Sequence, residues 1–266
     1  TIVRDLRPAL VGRTFREVRL RHDDVLRGVK RAGLIRRLTG ATVDEVSRRA
    51  KHVVLRLGRW RLVIQPGMTG SLFLVNGVRP SVETRYDVLT ARLDDWRDFV
   101  YRDVRRLGSL LLLDESDWRA YDAAIGPEPL DPQFTPEAFR NALGRTRQVA
   151  KKALMDQRLL AGVGNIYANE ALFAAGIDPS RPADDLSPEE SVRLFDEVRR
   201  LLNAAIAANG TTFRDYRTAT GQPGNFQLEL LVYGREGEPC RRCGTRLAGT
   251  HALDARITVF CYRCQR

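Results

Sequence analysis

Short apolar runs broken by glycine, proline and asparagine dominate the first half of the chain. FREVRLR, HVVLRL, RLVIQPGM, SLFLV, RYDVLTARL, WRDFVYRD and SLLLLD are rich in β-branched and aromatic residues, as strands of an antiparallel sandwich or barrel would be. Ahead of them Ile2, Leu6 and Leu10 recur at helical spacing up to Gly12, which predicts a helix from the first residue. After SLLLLD, the segment GPEPLDPQFTP concentrates proline and glycine and reads as a linker. The pattern then turns helical. Thr135 and Pro136 form a cap followed by a first-turn proline, and SPEE at Ser187–Glu190 is a capping box ahead of VRLFDEVRRLLNAAIAA. In that last helix Val192, Phe195, Val198, Leu202 and Ile206 form one stripe, read as core rather than a cofactor surface. Gly162 and Gly164 bracket a valine before Asn165, which opens a further apolar-periodic run closed by Gly176. Near the end, GTRLAGTHALDARITVF alternates like a short hairpin. The expected fold is α+β and multidomain: an antiparallel β-sandwich with flanking helices over 1–124, a linker at 125–134, a helical domain over 135–225 and a β-hairpin ribbon over 226–266.

Charge narrows the choice of partner. The 266 residues, 43% of them hydrophobic, are enough for a real core, yet the net charge is +11. Such a field draws in a polyanion and makes binding salt-sensitive, so nucleic acid is the expected partner and a merely solvated basic surface the alternative. Arginine dominates the basic set, which favours forked phosphate contacts. The turn before Asn165 presents backbone N–H groups at a helix N-terminus, a ready anion site, although an ordinary capped helix would look the same. No apolar run approaches a membrane span and no signal peptide precedes the first charged helix, so the expected compartment is the cytoplasm.

All four cysteines lie at the end of the chain, as Cys240, Cys243, Cys261 and Cys264. Two CxxC knuckles with a ribbon-length spacer can close a thiolate tetrahedron around one Zn²⁺, and in a reducing cytosol that reading prevails over disulfides. With all four positions filled by protein, no site is left open for a catalytic water, so the metal is expected to be structural, with redox-active cysteines as the alternative.

Seven stretches, in order along the chain, resemble the formamidopyrimidine-DNA glycosylases, bacterial repair enzymes for oxidised purines. They are RRAKHVVL around Lys51, QPGMTGSL around Met68, YRDVRRLG around Arg105, GPEPL, LMDQRLLAGVGNIYANEALFAAGIDP, GQPGNFQLELLVYGREGEPCRRCGT, and the terminal cysteine knuckles. The resemblance implies a β-rich domain, a helix-two-turn-helix domain and a zinc ribbon, with damaged double-stranded DNA bent across the cleft between them. It implies a phosphate contact for Lys51, a position also linked to elimination chemistry; a plain solvated lysine is the alternative. Met68, Arg105 and Leu107 match the residues that enter the duplex when the damaged nucleotide is flipped out, although for Met68 a core-filling role competes. The family usually has phenylalanine at Leu107 and proline at Val104, so the wedge here should stack more weakly. Asn165 matches a phosphate-binding asparagine, and Arg256 a ribbon arginine that grips the phosphates flanking the lesion and is associated with the second elimination step. Lys151 matches a DNA-binding lysine, but Lys152 stands where the family has proline, leaving open which of the two meets DNA. Gln222 stands where a lysine is common.

Members of this family begin with proline and glutamate, the nucleophile and the acid–base partner, and neither opens this chain, which starts at Thr1. The expectation is that a handful of residues is missing ahead of Thr1. The Thr1 amine would lie a helix segment from the chemistry, and a misplacement of even about 1 Å can cost roughly a hundredfold in rate. Two readings follow. One is a bifunctional glycosylase and lyase that excises 8-oxoguanine or formamidopyrimidines through a Schiff base and cuts the backbone by β,δ-elimination, inactive without its natural start. The other is a damaged-DNA-binding paralogue that does not cut. An unrelated zinc-ribbon adaptor would leave GVGNIYANE and GMTGSL unexplained. A monomer in the bacterial cytoplasm, associated with the nucleoid, is expected.

Overall fold

The computed structural model describes residues 1–77, 84–211 and 224–266. The chain divides into two compact units, Thr1–Asp122 with Ala208–Asn225, and Ala123–Ala207 with Phe226–Arg266.

In the first unit, helix α1 (Ile2–Leu10) buries Leu6 and Leu10. It is followed by β1 (Phe15–Leu20), the short β2 (Leu26–Arg27) and α2 (Arg31–Leu38), which buries Leu34 and Leu38. Then come β3 (Glu45–Arg49), β4 (His52–Leu57), β5 (Trp60–Gln65), β6 (Gly70–Val75), β7 (Asp87–Leu93), β8 (Asp98–Asp103) and β9 (Ser109–Leu113), ending in helix α3 (Glu115–Ala123). They form a four-stranded sheet, β1-β7-β8-β6, and a five-stranded sheet, β2-β9-β5-β4-β3. Every pairing is antiparallel except β2 with β9, where Leu26 lies beside Leu110 in parallel. One continuous core joins the sheets, built on Phe15, Leu55, Leu62, Ile64, Leu89, Phe99, Tyr101 and Leu110, with Leu6 and Leu10 of the first helix. All seven β-type runs of the sequence form strands here; β2 and β3 lack a hydrophobic signature of their own.

The second unit holds α4 (Pro136–Leu143), α5 (Ala150–Met155), α6 (Asn165–Ala175) and α7 (Pro188–Ala207), with the hairpin β10 (Ala248–Thr250) and β11 (Thr258–Phe260). The expected caps are present. Thr135 accepts the Ala138 N–H at 3.2 Å, while Ser187 and Glu190 exchange hydrogen bonds at 3.2 and 2.9 Å. Gly176 ends α6 with φ at 74°. α6 is apolar almost all round and buries Ala168, Ala171, Leu172, Phe173 and Ala175, as a helix surrounded by protein must.

One expectation needs correction. The buried face of α7 is Ser191, Leu194, Phe195, Val198, Leu201 and Ala205, whereas Val192 and Ile206 are 42% and 45% exposed. Adjacent stripes of this helix are both apolar at the same period, and packing selects the one with small residues at its ends, Ser191 and Ala205, with Phe195 meeting Phe134 and Phe139 at ring distances of 5.9 and 5.7 Å. Residues 226–266 group with these helices in one compact unit, and buried side chains of α5 and α6 hydrogen-bond the ribbon backbone. Gln222 lies outside the described residues.

This face assignment predicts that Leu201→Ala lowers the stability of the helical unit by about 2–5 kcal/mol while Val192→Ala changes it by less than about 0.5 kcal/mol, measured by urea denaturation of the two variants.

Candidate nucleic-acid interface and metal centre

Lys51 sits at the tip of the β3–β4 turn, next to Ala50 with φ at 50°. The turn is braced against α3. Arg49 Nε donates to Asp122 Oδ1 at 2.5 Å, and the His52 ring spans the Arg49 carbonyl (Nδ1, 3.0 Å) and the Tyr121 hydroxyl (Nε2, 3.1 Å). Burial holds the His52 pKa below its usual value despite the Arg49 hydrogen bond, so the ring is neutral at pH 7. The carbonyl only accepts, so Nδ1 carries the proton and Nε2 accepts from Tyr121.

Met68 and Leu107 are 64% and 59% exposed, and Arg105 is exposed too. A core-filling role for Met68 is thereby excluded. Both loops are crossovers between the two sheets: β5 leads to β6 and β8 leads to β9. Because Gly70 pairs with Asp103 and Gln65 with Ser109, the strand ends set the two loops side by side, presenting Met68 together with Arg105 and Leu107.

In the second unit α6 begins at Gly164 in an extended conformation, and a glycine has no side chain with which to cap the helix. The preceding turn is fastened by Gln157, whose carbonyl oxygen accepts the Gly162 N–H at 2.8 Å and whose amide donates to the Met155 and Val163 carbonyls. The helix therefore offers its first N–H groups, and Asn165 stands among them. Asn165 Nδ2 donates to the Ile257 carbonyl at 3.1 Å, which sets it against the segment that enters β11, next to Arg256. Arg256 is exposed, with Nε 3.5 Å from Asp254. Burial pushes Asp254 up, but the Arg256 amide and the Arg256 and Lys151 charges outweigh it and hold the carboxyl below its usual range.

The neighbouring lysines have opposite fates. Lys151 is fully buried, and its ammonium donates to the Arg256 carbonyl (3.0 Å), the Ile257 carbonyl (3.1 Å) and Thr258 Oγ1 (2.7 Å). Three donors meet three acceptors, so the DNA contact expected of Lys151 gives way to a task inside the unit: it fixes the backbone that carries Arg256. Lys152 is exposed.

The four cysteine sulfurs lie within 4.8 Å of one another, with Cys240–Cys264 at 3.9 Å and Cys243–Cys261 at 3.5 Å. A tetrahedral ion with metal–sulfur bonds of about 2.3 Å sets sulfur–sulfur edges of about 3.8 Å, whereas a disulfide needs about 2.05 Å. The thiols are thus placed to hold a metal ion. Hydrogen bonds from Thr245 bring Cys243 down to about 6, while burial and the neighbouring sulfurs push Cys264 up to about 12. Four thiols this close ionise together only around a cation.

Further anchors escape a reading of the sequence as motifs. Glu170, 1% exposed, accepts the N–H groups of Leu231, Val232 and Tyr233 at 2.7–2.9 Å, and Asn169 accepts that of Val259 at 2.7 Å. Gln265 accepts from Cys261 N and donates to the Ile177 carbonyl. The available signal was polar residues in the middle of the apolar run IYANEALF.

Comparison with known proteins accords with this arrangement. Residues 1–110 match the formamidopyrimidine-DNA glycosylase N-terminal domain and residues 125–217 the formamidopyrimidine-DNA glycosylase H2TH domain. A formamidopyrimidine-DNA glycosylase of Stutzerimonas stutzeri is 42% identical over 268 residues, covering 100% of this chain and 97% of that protein. Among solved structures, the MutM (Fpg) protein of Thermus thermophilus superimposes with a TM-score of 0.87 at 37% identity, over 99% of this chain and 96% of the other. The Lactococcus lactis Fpg protein in complex with a Fapy-dG containing DNA gives 0.90 at 30% identity, over 100% and 97%. The chain belongs to the formamidopyrimidine-DNA glycosylase family.

Burial brings the Lys151 ammonium down to about 8 from its ordinary 10.5, with Arg256 acting the same way and Asp254 opposing. The folded value lies below the unfolded one, so between about pH 8 and 10.5 the unfolded chain binds the extra proton and the unit gains stability as pH rises. Lys151→Met has no such proton to bind. Urea denaturation at pH 7.5 and 9.5 is expected to show a rise for the wild type that is smaller in Lys151→Met.

Proposed function

We propose that the protein is a bifunctional DNA glycosylase and AP lyase of base-excision repair, acting as a monomer on chromosomal DNA in the bacterial cytoplasm. Its substrates are oxidised purines in duplex DNA, 8-oxoguanine and formamidopyrimidines. The observation that carries this reading is the presence of two devices: an exposed Met68, Arg105 and Leu107 set on two adjacent crossover loops, and a glycine-led helix start whose Asn165 is hydrogen-bonded to the carbonyl of Ile257, the residue after Arg256. Met68 and Leu107 fill the space left by the extruded nucleotide, and Arg105 pairs with the orphaned base. Asn165, Arg256 and Lys51 grip the phosphates, Lys152 being the lysine of its pair that solvent reaches. The net charge of +11 adds a salt-dependent attraction common to all sequences.

The attacking group in this chemistry is the secondary amine of an N-terminal proline, with a glutamate as acid and base, as the family carries; residues 1–266 do not begin with that pair. A secondary amine attacks the sugar C1′, the base leaves, and the resulting iminium permits β- and then δ-elimination. Lys51 and Arg256 are placed by this reading at the phosphates whose departure completes the two cuts. Cys240, Cys243, Cys261 and Cys264 hold one structural Zn²⁺, which fastens the hairpin carrying Arg256.

Protein isolated with its natural amino terminus, verified by N-terminal sequencing, is expected to be trapped covalently by borohydride on an 8-oxoguanine duplex. If a Pro-Glu terminus is present and no adduct forms, the second reading takes over: a paralogue that clamps damage without cutting, to which Leu107 and Val104 lend support as departures from the family's wedge. Elemental analysis is expected to find one zinc per chain; Cys261→Ser should lower that content, unfold the ribbon and weaken binding to lesion-bearing DNA, and unchanged zinc and binding would exclude the structural role.

A further inference from the structure

Asp103 ends β8 directly beneath the two exposed loops and is fully buried. Among the described residues, the hydrogen-bond partners of its carboxylate are all donors. Oδ1 accepts from Thr69 Oγ1 at 2.5 Å, and Oδ2 accepts from Gly108 N at 2.8 Å and from the Tyr101 hydroxyl at 3.2 Å. Thr69 Oγ1 in turn accepts the Arg105 N–H at 3.1 Å. A single carboxylate thus ties the residue after Met68, the backbone of Arg105 and the residue after Leu107 into one network. Burial and the nearby carboxylate push the Tyr101 phenol up, so it remains a donor.

Backbone packing reinforces the tie. A Cβ on Gly67, where φ is +66°, would stand 2.9 Å from Gly108 N; one on Gly108 would stand 2.1 Å from the Tyr101 hydroxyl and 2.3 Å from the Gln65 carbonyl. One loop therefore rests on the backbone of the other, with no side chain between them. Loops that carry exposed apolar residues would otherwise fold those residues down onto the protein. Here the base of each loop is fixed while the tips stay in solvent.

We infer that Asp103, acting through Thr69 and Gly108, is a positioning residue that locks the two loops into one preformed wedge, so that Met68, Arg105 and Leu107 enter the duplex as a unit. The inference rests on the insertion role proposed above. Its physical content is preorganisation: ordering two loops before contact removes that entropy from the insertion step, the step that competes with base stacking. The lock should matter most where the lesion is still paired and stacked, and least at an abasic analogue, where nothing must be unstacked.

Insertion needs no chemistry, so the 266-residue chain itself serves for the test. Duplexes carry 2-aminopurine beside either 8-oxoguanine paired with cytosine or a tetrahydrofuran abasic analogue, and stopped-flow fluorescence reads unstacking. Thr69→Val, which keeps the shape and removes the hydroxyl, is expected to slow the rise about tenfold on the 8-oxoguanine duplex and much less on the abasic one. Thr69→Ser, which keeps the hydroxyl, should stay within about twofold of wild type on both. In the free protein, hydrogen exchange at the Arg105 and Gly108 amides should accelerate in Thr69→Val and in Asp103→Asn while the rest of β8 stays protected. Equal slowing on both duplexes, or Thr69→Val matching wild type, overturns the lock. Absence of any wild-type fluorescence rise instead defeats the insertion role, and the exchange rates alone then decide whether the loops are tied.

Discussion

The second unit depends on a buried polar inlay. Lys151, Asn169 and Glu170, each at most 2% exposed, project from α5 and α6 and give the ribbon its hydrogen bonds. The hairpin has three residues in each strand, too few to bury a core. Its apolar contribution is small: Val232, Leu247, Val259 and two of the cysteines gather around Phe173 of α6. Leaving one buried donor or acceptor unmatched costs about 1–3 kcal/mol, so only one register of the ribbon on the helices satisfies the whole set. That register decides where Arg256 stands. The carbonyls of Arg256 and Ile257 are held by Lys151, and Ile257 is held by Asn165 as well, so the arginine and the helix start are placed by the same few bonds.

The first unit solves a different problem, how to keep apolar side chains in water without losing them to the core. Its answer is topological. Two crossovers leave the same end of the sandwich because their flanking strands pair in both sheets, and a short loop has little freedom once both ends are registered. Met68 and Leu107 can then be exposed and still be ordered. Leucine at 107 offers bulk but no aromatic face. The Lys51 turn is treated in the same way, with Arg49 and His52 spent on α3 and Lys51 at the tip.

Much of the local structure was legible in the sequence because its causes are local. Alternating apolar runs became strands, and Thr135, Ser187 and Gly176 marked helix ends through bonds that reach only three or four residues. The four cysteines were legible for a similar reason, since the chemistry of two CxxC knuckles leaves few alternatives. The core face of α7 was not legible, because Val192, Leu194, Phe195, Leu201, Leu202 and Ile206 supply two apolar stripes of the same period and periodicity has no means of ranking them.

By itself the sequence determined which chemistries the chain possesses: a strongly basic composition, a thiol tetrad, and glycines in a turn before a helix. What tertiary structure decided was which of two similar residues faces solvent and which faces protein. Lys151 and Lys152 are identical in type and adjacent in the chain, yet one is enclosed by ribbon carbonyls more than a hundred residues away in sequence and the other is in water. Asp103 reads as the polar end of a strand until the fold brings Thr69 and Gly108 to it. Both outcomes turn on desolvation, and desolvation depends on distant segments that no local pattern encodes.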